Sequence, residues 1–428
     1  TDFCSVELTL VDNQGACGGS RMSVGGDIKT EKGLGVKNVA VKLRSNQAGM
    51  EKQRLTDVSG DYMFGDLPVM VDYHITGEKR DDWMNGVSTL DLVMIQRHIL
   101  GVAPFNNGYK MVAADVNNDG KVTASDLVVL RKLILGLIAE LPNNNSWRFL
   151  DAANAIVDVQ NPWPLDEEIV IEGVDHDMMQ QHFMGVKVGD VSQDASADGI
   201  QAETRTSGRL VLRAADQEVK AGELVRMDIR ADQMDNVNGM QFTLRMQGLK
   251  VEGIESGKLT VDGANYGSPS EGEMTFSWSE ENGVSAGSDE VLFTVILRSE
   301  ESGKTSKMIE LGSWTTRAES YSGEELEVGK VELRIGREDE VGSFALYQNE
   351  PNPFRTTTTI GYQIPNQGTV ELKISDITGR ELFTREINSI RGYNSVEIDR
   401  KLFPATGIYY YTVTAGSFTA TKGLVVLE

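Results

Sequence analysis

The stretch Asp115-Val-Asn-Asn-Asp-Gly-Lys-Val-Thr-Ala-Ser-Asp126 decides how this chain is read. Oxygen-bearing side chains fall on alternate residues, a glycine follows, and a carboxylate closes the run. Loops that wrap a hard cation take ligands from positions 1, 3, 5, 7, 9 and 12 and need glycine at position 6 for a sharp turn. Here those ligands are Asp115, Asn117, Asp119, the Lys121 carbonyl, Thr123 (directly or through water) and Asp126, with Gly120 at the turn. An all-oxygen set with flexible, high coordination favours Ca2+ over Mg2+. The plainer reading is an Asn/Asp-rich turn that ends in a helix cap.

Outward from the loop, the period changes to that of a helix. ASDLVVLRKLILG (124–136) repeats TLDLVMIQRHILG (89–101) at an offset of 35 residues. Leu92, Ile95 and Ile99 fall at helical spacing, as do Leu127, Leu130 and Ile134, and each run ends in glycine, a helix stop. A calcium loop with aspartate at its last position and one following helix, duplicated, resembles the dockerin module over roughly residues 78–140. The first half departs from that pattern. Aligning Asp91 with Asp126 puts Arg80, Asp82 and Met84 at positions 1, 3 and 5. A second, degenerate site would therefore draw on Asp81, Asp82 and Asp91, the other reading being a loop held by turn chemistry and capping. The resemblance implies bound Ca2+ in a structural role, because a cation that binds only the folded state stabilises it by mass action.

The rest of the chain reads as β modules, so the expected fold class is mainly β and multidomain: several β-sandwiches around one small all-α calcium module. Residues 1–22 read as the tail of a preceding sandwich, and the chain as the C-terminal part of a longer precursor. In 23–77, Val39, Val41 and Leu43 alternate, as do Tyr62 and Phe64, between turn signals. This pattern resembles the prealbumin-like spacer repeats of bacterial surface proteins. Residues 141–204 read as an irregular extension and linker, with Trp147, Phe149, Trp163 and Phe183 available to tack it onto the helices. Residues 205–336 carry strands by alternation, with Met240, Phe242, Leu244 and Met246 on one face. They resemble a cohesin-type sandwich, the family to which dockerins bind. That implies a contact between dockerin-like and cohesin-like units, within one chain or head to tail between chains, and is compatible with a homo-oligomer.

Residues 343–428 form the last β unit. LYQNEPNPFRTTTTIGYQIP, VELKISDITGRELFTREI and LFPATGIYYYTVTAGSFTATKGLVV resemble the type A sorting domain of the Bacteroidota type IX secretion system. Asn352, Pro353, Phe354, Gly379, Gly407, Ile408, Tyr409 and Lys422 stand at the family's motif positions. The resemblance implies export across the outer membrane, the outer-membrane secretion machinery as partner, and a secreted or cell-surface location.

Composition sets the exclusions. Lys and Arg number 41 against 64 Asp and Glu, a formal net charge of -23, which argues against nucleic acid as a partner, since phosphate binding needs clustered Lys and Arg. Cys4 and Cys17 lack zinc-site spacing; they read as a disulfide, with two free thiols as the other reading. His176 and His182 lie near Asp175 and Asp177, a weak metal constellation, while His98 lies in a repeat helix and His74 in a strand. Asp166, Glu167 and Glu168 read as solvated, and no nucleophile or phosphate-loop motif occurs, so no catalytic residue is assigned. The expected function is the C-terminal region of a large secreted or surface structural or adhesive protein, calcium-rigidified and non-enzymatic. The alternative is the non-catalytic tail of a secreted polysaccharide- or protein-degrading enzyme, or of a cellulosome-like subunit.

Overall fold

The computed structural model describes residues 21–154, 156, 158–198, 208–336, 344–390 and 392–427. The strand read in residues 1–20 and the Cys4–Cys17 pair lie outside them. Two compact units divide the chain near residue 204.

The first unit is a sandwich with a helical insertion. Its strands are β1 (Arg21–Lys29), β2 (Ala40–Ser45), β3 (Met50–Leu55), β4 (Asp61–Pro68) and β5 (Tyr73–Glu78). Three helices follow: α1 (Thr89–Ile99), α2 (Gly108–Ala114) and α3 (Ala124–Ile134). The chain then returns to the sandwich as β6 (Trp147–Asp151), β7 (Glu168–Ile171) and β8 (Phe183–Lys187). One sheet runs β4-β1-β8-β6 and the other β3-β2-β5-β7. Residues 141–204, read from sequence as an irregular extension, thus supply three of the eight strands among this unit's described residues, and 23–77 is no closed domain. Parallel pairing of Ile28 with Phe183 joins strands more than 150 residues apart, a register that no local pattern announces.

The alternating apolar residues face inward as their period requires. Val39, Val41, Leu43, Phe64, Tyr73 and Ile75 are buried together with Trp147, Phe149 and Phe183 in one cluster. Of the four aromatics read as tacking the extension to the helices, only Trp163 does so; it packs against the helical cluster. Gly26 is required where segment 178–181 crosses β1, because a Cβ there would lie 1.8 Å from the Gln181 carbonyl oxygen.

The helices share a separate core in which Leu92, Ile95, Leu130, Leu133 and Ile134 pack with Val112 and Val116. Helix α2 escapes the repeat reading because it belongs to neither copy. Ile99, read as core-facing, is 37% exposed, while Val93 is fully buried in α1.

In the second unit, residues 208–336 form a sandwich closed by its own ends. The first strand, Gly208–Ala215, pairs in parallel with the last, Glu327–Gly336, over their shared length. Strand Leu224–Ala231 pairs with Phe293–Ser299 along most of its length and with Gly208–Ala215 at its end, so it joins the two layers. The stack Phe242–Phe276–Phe293, with centroids 5.0 and 4.7 Å apart, fills the middle. Met240, Phe242, Leu244 and Met246 are buried as read.

Residues 344–427 form two further sheets, of three and four strands. Strand Thr357–Ile364 begins in a threonine run, and strand Glu381–Ser389 is largely exposed.

Candidate metal centre and sorting domain

Loop 115–126 is built from both sides. Asn118 and Gly120 take left-handed backbone angles, φ +58° and +78°, which turn the chain sharply. The Asp115 carboxylate accepts from the backbone N–H groups of Asp119 and Gly120 at 3.0 and 3.1 Å. Asp126 Oδ1 accepts from Asn117 N–H at 3.0 Å, and Oδ2 from Thr123 N–H at 2.9 Å. Thr123 caps α3, its hydroxyl accepting from Ser125 N–H, so Asp126 closes a capping box as well as the loop.

Two residues that the sequence reading missed hold the loop from outside. Asn144 Nδ2 donates to the Asp115 carbonyl at 2.9 Å. Arg148 on β6 grips Glu167 through Nε and Nη2 at 2.9 and 2.8 Å and brings Nη1 to 3.9 Å from Asp115 Oδ2. The only sequence signal for them was the unusual NNNSWR run beside the helices.

The donor set fits a hard cation. Asp115 and Asp126 are fully buried, and burial pushes both carboxyls above the usual range, with mutual repulsion adding to Asp115. Asn117 Oδ1 is buried and accepts no hydrogen bond, an orphaned oxygen at the third ligand position. The centre therefore consists of two buried carboxylates and an amide oxygen. Asp119 and Lys121 are exposed, and among the described residues no three Asp, Glu, His or Cys side chains form a group able to hold an ion.

A pH dependence follows with a definite sign. In metal-free protein the two carboxyls bind protons more tightly folded than unfolded, so they lower stability as pH rises through the window above about 4. Asp126→Asn does not titrate. In chelator, its Tm relative to wild type is expected to climb as pH rises above about 4. In calcium, which needs the ionised carboxylate, the same difference should fall over that range. Parallel pH profiles in both buffers would contradict the account.

The degenerate second site is corrected. Asp81 and Asp82 stay at the surface and pair with Lys79 at 2.7 and 3.5 Å, whereas Asp91 is fully buried. Asp91 accepts instead from the Val191 and Ser192 N–H groups, both at 2.9 Å. The histidines are not brought together: His176 pairs with Asp175, His182 with Asp27, His74 with Glu168, and His98 stacks on Phe105. Glu167 is the Arg148 partner rather than a free solvated carboxylate.

In the last domain, Phe354 is 1% exposed and meets Phe403 edge-on at 5.7 Å. Its N–H donates to the Val425 carbonyl, and its carbonyl accepts from Leu427 N–H, at 3.1 and 2.9 Å. Asn352 Oδ1 accepts from Val425 N–H at 2.8 Å. The backbone N–H of buried Asn349 donates to the Tyr411 hydroxyl. Gly379 takes φ +83° in a turn that Asp376 caps, and Tyr409 donates to the Ala405 carbonyl. Tyr411 and Lys422 pair across the last two strands. Asn352 and Phe354 thus tie the Asn-Pro-Phe loop to the C-terminal strand.

Family comparisons agree with both ends of this description. The dockerin type I domain matches residues 85–135, and the secretion system C-terminal sorting domain matches residues 350–427. The chain therefore carries a dockerin type I module and a sorting domain of the type IX system, which directs export to the cell surface or the extracellular space. No curated protein matches the chain. Among solved structures it is similar to a type I cohesin–dockerin complex from Clostridium thermocellum at 17% identity, covering 32% of this chain and 96% of that one, with TM-score 0.25. A non-cellulosomal cohesin from Archaeoglobus fulgidus matches at 18% identity, over 30% of this chain and 92% of that one, TM-score 0.19. The Bacillus anthracis TIE protein matches at 10% identity, over 95% of this chain and 48% of that one, TM-score 0.20.

Proposed function

We propose that this chain belongs to an exported structural or adhesive protein, in which calcium rigidifies the helical insertion and the β modules act as spacers. It is read as non-catalytic. The reading rests above all on the orphaned Asn117 oxygen in the same loop as the buried carboxylates of Asp115 and Asp126, in a chain addressed to the outside of the cell. Millimolar calcium there keeps even a weak loop loaded. The dockerin module further marks the chain for contact with a cohesin-type sandwich, on another protein or on a second copy.

Deleting residues 344–428 is expected to leave the remainder in the cell envelope, with less than about a tenth of the wild-type amount outside, a shift of about 1.4 kcal/mol if read as a partition. Cell fractionation reads this directly. Undiminished secretion of the truncated chain would remove the export half of the proposal.

A further inference from the structure

The first repeat helix lacks a calcium-type loop before it in sequence, and the structure supplies one from elsewhere. We infer that residues 190–195, continuing from β8, are the missing first half of that loop, cut between its sixth and seventh positions, and that this strap latches the helical insertion to the sandwich.

The backbone of the two loops corresponds position by position. Asp190 stands where Asp115 does: its carboxylate accepts from Asp194 N–H and Ala195 N–H at 3.2 and 3.0 Å, four and five residues on. Asp115 accepts at the same two offsets. Gln193 at the fourth position has φ +61°, as Asn118 has φ +58°. Asp91 stands where Asp126 does. Its Oδ1 accepts from Ser192 N–H at 2.9 Å, as Asp126 Oδ1 accepts from Asn117 N–H. Its Oδ2 accepts from Ser88 N–H and closes the α1 capping box, as Asp126 does for α3.

The cut falls where the two chains abut. Gly86 at the seventh position has φ +73°, and a Cβ there would lie 2.6 Å from Ala195 N. Asn85 and Ser196 exchange hydrogen bonds of 2.8 and 3.0 Å beside the junction. The strap also runs from one core to the other and back. Phe183 and Ala197 belong to the sandwich cluster, while Val186, Val188 and Val191 between them belong to the helical cluster. Gly189 N–H donates to the Ala113 carbonyl at the end of α2, and Lys37 N–H to the Ala197 carbonyl. The helices therefore cannot loosen without releasing the strap, and Asp91 is the positioning residue at their joint.

Hydrogen exchange on the full chain tests this. Asp91→Asn should raise exchange at least tenfold in peptides over 86–99 and over 188–196 together. A rise confined to either segment would overturn the inference. Should that variant fail to fold, a protease site inserted between Gln193 and exposed Asp194 gives an independent arm, cleaved after folding. Cleavage should raise exchange at least tenfold in α1 and also in β8. Wild-type protection of α1 in the cleaved chain would show that the strap holds nothing.

Discussion

Replacing Phe354 by alanine is expected to destabilise the last domain severely and to cut export. Truncating a fully buried phenylalanine costs about 3–5 kcal/mol through lost transfer energy and the cavity left behind. A domain of this size has only about 5–10 kcal/mol to lose. Phe354 is also the point at which the Asn-Pro-Phe loop joins the C-terminal strand, through the Val425 and Leu427 backbone bonds. Its removal therefore loosens the strand that ends the chain, not only a patch of core. Melting of the isolated transition and immunoblots of cell and medium fractions check this. Ile377→Ala, at a side chain 74% exposed, is the control and should export normally. A Phe354→Ala protein secreted at wild-type level would show that the recognised feature is not this folded junction.

Withdrawing calcium is expected to produce the second large effect. A ligand at a hundred times its Kd stabilises the state that binds it by about 2.7 kcal/mol. For a unit of about 200 residues this corresponds to a fall in Tm of roughly 5–10 °C in chelator. Asp126→Ala should melt below wild type in both buffers, because it also removes the capping box and the acceptor for Asn117 N–H. Its Tm should no longer respond to calcium. If chelator leaves the wild-type transition in place, the clamp does not exist.

What the sequence revealed and what it hid follow from one distinction. Loop 115–126, the second repeat helix and the Asn-Pro-Phe and Gly-Ile-Tyr motifs are written in contiguous residues, so spacing carries the information even where, as at Phe354, the bonds run to distant Val425 and Leu427. The alternating strands of 208–336 were legible for the same reason, since period two over five or more residues places one face inside. The closure of the first sandwich was not legible, because β6, β7 and β8 are short and polar-flanked and find their partners across the helical insertion. Asp91 shows the limit most clearly. Its place in a repeat marked it as a ligand-type residue, yet its partners, Val191 and Ser192, lie a hundred residues away. Asp81 and Asp82, its near neighbours in sequence, turned out to serve Lys79.

Titration calorimetry of calcium into chelator-stripped full chain, with wild type and Asp126→Ala side by side, tests the central claim most directly. The account predicts saturable binding at millimolar calcium or below in the wild type, and loss of the Asp115–Asp126 site in the variant. Identical titrations of the two proteins would contradict it.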